Sequence, residues 1–264
     1  VETHDLDPTY DFLYRARMEL GNDWANRFSV HYLCFYDMGG ALAAARDTGE
    51  TDFWSYVLDN YTAFPRGTER RHTRGELGLR YVTELSKKGT PRDTMKAMYS
   101  PSYTGLVSVF NSHFKGCGFG PYFIWKVMDF QDRVFERPIS LTRAEAERHC
   151  PDEPRKCAKA LWPEFKFGYV MESIAYNIRD MVAPGAPDRK CGLPEAETIL
   201  CMLKGWGITK THTIGDDVDS KWEQLRKFPE FHKYLPTKQD WSKYERPADL
   251  DPATISRDLA GVAY

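Results

Sequence analysis

Residues 114–134, FKGCGFGPYFIWKVMDFQDRV, limit what this chain can fold into more than any other stretch. Gly116, Gly118 and Gly120 make a tight turn, because glycine adopts φ > 0 without a Cβ clash and lets another backbone, including a phosphate backbone, come close. Pro121 then stands at the natural first position of a helix. Phe123, Val127, Phe130 and Val134 recur at i, i+4, i+7 and i+11, the spacing of a buried helical stripe. Lys126, Asp129 and Arg133 recur at i, i+3 and i+7, roughly a quarter-turn round the same cylinder. That charged stripe either lines the rim of a cleft or lies in water.

The same period runs through the rest of the chain, and no stretch alternates with period two. Asp7-Pro8 reads as a helix start, and helices are expected near 9–20, 22–36, 41–46, from 51 onward, and over 76–85, 91–98 and 102–112. Thr142 and Glu145 make a capping box. Phe167, Val170, Met171, Ile174, Ile178 and Met181 form a stripe expected in the core, and a further helix covers 194–206. The architecture is therefore all-α, with about ten helices and no repeats. A helical catalytic domain is expected over 1–228, with a possible subdomain boundary at the polar 149–156 segment. Residues 229–264 are expected to wrap over the core, with a short helix near 252–259.

Two stretches besides residues 114–134 carry chemistry. Residues 64–75 hold Arg66, Arg70, Arg71, His72 and Arg74 in a loop broken by Pro65, Gly67 and Gly75. Guanidinium forks match phosphate oxygens, and the alternative is a solvated loop paired to nearby acids. On the 194–206 helix, Glu197, Cys201 and Lys204 share a line. Either they supply a base, a nucleophile and a phosphate clamp, or a Glu–Lys surface pair lies beside a packed thiol. Residues 210–219 add a glycine turn and an acidic cluster without the ligand spacing of a calcium loop.

A net charge of −2 argues against a uniformly basic nucleic-acid coat while leaving room for a local patch. Six cysteines at irregular spacing suggest unrelated thiols in a reducing compartment, not a disulfide framework or a zinc site. No apolar run reaches the length of a membrane helix. No signal-peptide pattern opens the chain, which starts at Val1, and a few further residues are expected upstream.

Four blocks occur in one order: RGTERRHTRG at 66–75, GFGPYFIWKVMD at 118–129, ETILCMLK at 197–204 and IGDD at 214–217. Together they resemble the α-glutamyl/putrescinyl-thymine pyrophosphorylase family of DNA-hypermodifying bacteriophages, which includes the amino acid:DNA transferases. The likeness runs over about 27–219. It departs at Thr73, where Phe is expected, and over 206–213.

The resemblance implies a transferase acting on double-stranded DNA whose 5-hydroxymethyluracil is already phosphorylated or pyrophosphorylated. An amine, often that of an amino acid, displaces the phosphate at the exocyclic CH2. It also implies a helix-hairpin-helix-like element as in helical DNA glycosylases, with Gly118 and Gly120 at the DNA backbone. The setting implied is the cytoplasm of an infected bacterium; no membrane, cofactor or metal is expected.

On that chemistry Arg66, Arg70, Arg71, His72, Arg74, Lys126, Arg133 and Lys204 face phosphate. Asp129, Glu197 or Asp216 serves as the base. Tyr122 or Trp125 stacks on an extruded pyrimidine, and Cys201 adds to uracil C6 as its thiolate. Two other readings remain: a helical DNA glycosylase that releases a free base, and a non-catalytic DNA-binding protein.

Overall fold

The structure, a computed structural model, describes residues 6–67, 70, 74–209 and 211–243. Among them it is helical, with two isolated bridges and no strand. The helices are α1 (Pro8–Leu20), α2 (Asn22–Phe35), α3 (Met38–Asp47), α4 (Phe53–Asp59), α5 (Gly75–Ser86), α6 (Pro91–Ala97) and α7 (Tyr103–His113). They continue with α8 (Pro121–Asp129), α9 (Arg143–His149), α10 (Asp152–Leu161), α11 (Phe167–Ile178), α12 (Leu193–Leu203) and α13 (Asp216–Gln224). Helices α8 and α12, which carry the two polar stripes, each run on into a π-helical turn, Phe130–Val134 and Lys204–Ile208. Such turns are uncommon and concentrate at functional sites.

The chain divides into two compact units. The larger spans 9–140 and 221–235. Its centre is α2, buried on nearly every side from Trp24 to Phe35, as a helix apolar all round must be. Phe12 of α1 lies 5.6 Å from Phe28, and Tyr32 lies 5.8 Å from Phe130. The expected stripe Phe123, Val127, Phe130 and Val134 is buried here. Buried Gln131 donates from Nε2 to the carbonyls of Met95 and Met98, closing the C-terminus of α6.

His31 is enclosed in this core, 4.4 Å from both the Phe35 and Phe64 rings, and neither ring nitrogen has a hydrogen-bond partner. Burial, reinforced by the charge of Arg66, pushes its pKa down to about 3. The unfolded chain takes up a proton near pH 6.5, so stability should fall as pH drops from about 6.5 towards 3. The loss is on the order of 4 kcal/mol. Urea midpoints at pH 7 and pH 4 should therefore differ less in His31→Leu than in the wild type. An undiminished difference would place the acid sensitivity elsewhere.

The smaller unit comprises the described residues of 6–8, 141–220 and 236–243. Thr142 caps α9 through the expected reciprocal bonds with Glu145. The polar 149–156 segment is the end of α9 and the first turn of α10, where Pro154 costs no hydrogen bond. Helix α11 corrects an expectation. Val170 and Met171 are buried, but Phe167, Ile174, Ile178 and Met181 are only half-buried, and Tyr169 and Tyr176 are exposed. Periodicity reports which residues share a face; it does not report how completely that face is covered.

The 229–264 segment is short 3-10 turns where described, Pro229–Tyr234 and Trp241–Lys243. The helix expected near 252–259 lies outside the described residues.

Candidate active site

In the larger unit the glycine turn links α7 to α8. Gly116 and Gly118 take φ of 89° and 74°. A Cβ on Gly118 would lie 2.3 Å from the Tyr81 ring, whereas Gly116 and Gly120 face open space. The turn borders a groove of about 600 Å3 whose wall includes Tyr81, Asn111, Lys115 and Phe119. Gly120 precedes Pro121 at the start of α8.

Of the arginine loop, Arg71 and His72 lie outside the described residues. Arg70 is buried, with its guanidinium 3.3 Å from the Phe123 ring centre. Its Nε donates to the Leu33 carbonyl at 2.8 Å and its Nη1 to that of Gly118 at 3.3 Å. Burial lowers its pKa to about 10, which leaves it charged at neutral pH. Arg70 thus fastens the loop to the end of α2 and to the glycine turn. Arg66 donates to the carbonyls of Phe64 and Tyr61 and lies over the Phe35 and Tyr61 rings. Exposed Arg74 joins it on the wall of a second hollow of about 330 Å3.

The stripe Lys126–Asp129–Arg133, expected on a rim or in water, is instead buried. Asp129 Oδ1 lies 3.1 Å from Arg133 Nη2, and Oδ2 lies 3.6 Å from Lys126 Nζ. Tyr10 of α1 donates its hydroxyl to the same carboxylate at 3.1 Å, and the Arg133 guanidinium sits 4.7 Å from its ring centre. Helix α1 covers the stripe, which one helix's periodicity cannot foretell. Trp125 is fully enclosed against Tyr103 and has no face open to a base. Tyr122 is half-buried, and its hydroxyl pairs with that of Tyr36 at 2.8 Å. Tyr36, absent from the sequence reading, ends α2 at φ 55°, a conformation rare for a bulky residue. Lys126 Nζ lies 5.8 Å from the ring centres of both Tyr10 and Tyr122.

The smaller unit holds the second stripe. Glu197 is buried, and the half-buried Cys201 thiol donates to its Oε1 at 3.4 Å. Thr198 beside it donates to Asp7 at 2.9 Å. Burial, then the charge of Glu197, pushes the nearby Cys150 thiol upward. Lys204 pairs with Glu153 of α10, so the expected Glu–Lys surface pair does not form.

Asp216 caps the start of α13, accepting from the Thr213 amide and hydroxyl, each at 2.6 Å. It also faces Nδ1 of His212 at 3.6 Å, while Asp217 faces Nε2 at 3.8 Å. Neither His212 nor Asp217 was singled out from the sequence; a histidine four residues before an aspartate was the available signal. Among the described residues no cluster of three His, Cys, Asp or Glu side chains is arranged to hold a metal ion, and no helix is long and apolar enough to cross a membrane.

Comparison with known proteins places these features in a family. The chain is similar to a putrescinyltransferase of Delftia phage PhiW-14, at 31% identity over 85% of this chain and 75% of that protein. It is also similar to a glycinyltransferase of Pseudomonas phage PaMx11, at 29% identity over 76% of this chain and 79% of the relative. The family model for amino acid:DNA transferases matches residues 1–204, from the start of the chain through the Glu197–Cys201–Lys204 stripe. The chain belongs to the amino acid:DNA transferase family, and it is a transferase.

Proposed function

We propose that this transferase joins an amine to the exocyclic 5-methylene carbon of 5-hydroxymethyluracil in double-stranded DNA, once that hydroxyl carries phosphate or pyrophosphate. The observation that carries the reading is the thiol of Cys201 held at 3.4 Å from the buried Glu197 carboxylate. A nucleophile and an acid one turn apart, at the end of the family-matched segment, suit substitution chemistry better than binding alone. The names of the two relatives put a diamine or an amino acid on the donor side.

In this reading the α7–turn–α8 hairpin works as a helix-hairpin-helix-like element. Its groove takes the DNA backbone beside Lys115, with Gly116 and Gly120 leaving room for phosphate. The target base is turned out at a cost of a few kcal/mol. In the larger unit Tyr122, steadied by Tyr36, offers an aromatic face, and Arg66, Arg71, His72, Arg74 and Lys126 offer positive charge to phosphate, with Asp129 holding Lys126 and Arg133. Arg70 acts by fixing the loop rather than by touching phosphate.

The thiolate of Cys201 adds to C6, and the C5–C6 electron pair expels the phosphate with its C–O bond, leaving an exocyclic methylene at C5. The amine adds to that methylene, its proton passes to a carboxylate such as Glu197 or to water, and the returning electrons release the thiolate.

Duplex DNA carrying phosphorylated 5-hydroxymethyluracil, incubated with putrescine, glycine or glutamate and digested to nucleosides, tests the reaction by mass spectrometry. A nucleoside heavier than 5-hydroxymethyldeoxyuridine by the amine less water is expected. Release of a free base would mark a glycosylase, and unchanged nucleosides would overturn transfer.

A further inference from the structure

Cys201 and Gly205 are four residues apart on α12 and its π-helical extension, so they occupy successive turns of one face, about 6 Å apart along the axis. Glu197 stands one turn earlier on that face. Gly205 has no side chain there because His212 takes the space: a Cβ at 205 would lie 2.8 Å from the His212 Cβ. The His212 amide donates to the Gly205 carbonyl, as does that of Thr211. Along this face Glu197 and Cys201 are thus followed, at the glycine, by the Cβ and Cγ of His212, whose ring nitrogens Nδ1 and Nε2 face Asp216 and Asp217 of α13.

We propose that His212 is the group that takes the proton from Cys201, with Asp216 orienting the ring, so that Cys201, His212 and Asp216 work as a nucleophile–base–acid set. This rests on the reading of Cys201 as the nucleophile. As chemical classes, imidazoles accept a thiol proton more readily than carboxylates: the ordinary pKa values of thiol and carboxylate differ by about four units, those of thiol and imidazole by about two. Glu197 holds the resting thiol protonated; the proton passes from Sγ to Nε2 of His212 while Nδ1 faces Asp216. The resulting imidazolium stabilises the thiolate, as such pairs do elsewhere. Charged and titratable groups around the set include Cys150 beside Glu197 with Arg155 acting on it, Asp7 bonded through Thr198, Lys204 with Glu153 of α10, and Asp217.

Alkylation of Cys201 by iodoacetamide, followed by peptide mass spectrometry on the full chain from pH 5 to 10 without DNA, tests the pair directly. The other five cysteines are buried and report whether each variant keeps its fold. His212→Gln is expected to slow Cys201 alkylation at pH 7 at least about tenfold, moving its profile up by at least about one pH unit. Gly205→Ala, which displaces His212, should act in the same direction. Glu197→Gln should quicken alkylation.

Profiles unchanged in both His212→Gln and Gly205→Ala, or slowed as much by Glu197→Gln, would overturn the proposal. If the profile answers to His212 while Cys201→Ser still transfers amine, the thiol–imidazole pair stands and the nucleophile reading falls.

Discussion

Replacing Asp129 by alanine is expected to destabilise the protein by about 4 kcal/mol, seen as a fall in Tm of roughly 10 °C. The carboxylate is buried between Lys126 at 3.6 Å and Arg133 at 3.1 Å and accepts the Tyr10 hydroxyl. Removing it takes a carboxylate away from two enclosed cations. Losing one partner of a buried ionic set costs far more than the set gains over an apolar replacement. Joint replacement by Lys126→Met, Asp129→Leu and Arg133→Met should therefore restore much of the loss while abolishing transfer. A Tm change under about 2 °C in Asp129→Ala, the size of a surface substitution, would mean that the carboxylate does not hold this part of the core.

The second large effect is catalytic. Cys201→Ser should lower the rate of amine transfer at least about a thousandfold, because a serine hydroxyl at this position is a far poorer nucleophile towards C6 than a thiolate. The side chain is half-buried and similar in size, so the fold should survive, with Tm nearly unchanged. With the amine left out, the wild type should form a protein–DNA adduct that resists denaturant, and Cys201→Ser should not. Single-turnover measurement of product nucleoside at saturating DNA separates a chemical defect from weak binding. Near-normal turnover in Cys201→Ser would rule out addition at C6 and leave direct displacement of phosphate by the amine.

Much of this protein is legible one segment at a time. The 3.6-residue period, the Gly–Pro boundary before α8 and the Thr142–Glu145 box depend only on neighbouring residues, and the structure places helices where those signals stand. The order of four short blocks pointed to the family, which the comparisons bear out.

What no single segment contains is the identity of its neighbours. A charged stripe on α8 looks the same whether water or Tyr10 covers it, and only packing of α1 made it a buried ionic set. Arg70 reads like Arg66 and Arg74 in the chain, yet it alone of these three is enclosed, against Phe123 and the Gly118 carbonyl. Lys204 follows Cys201 by three residues but pairs with Glu153, fifty-one positions away. His212 packs on Gly205, four residues beyond Cys201, because a glycine leaves that space open.

Local sequence thus determined the helices, their faces and the residue types available for chemistry. Tertiary structure decided which charges lost their water, because desolvation depends on what chain packing brings across from elsewhere.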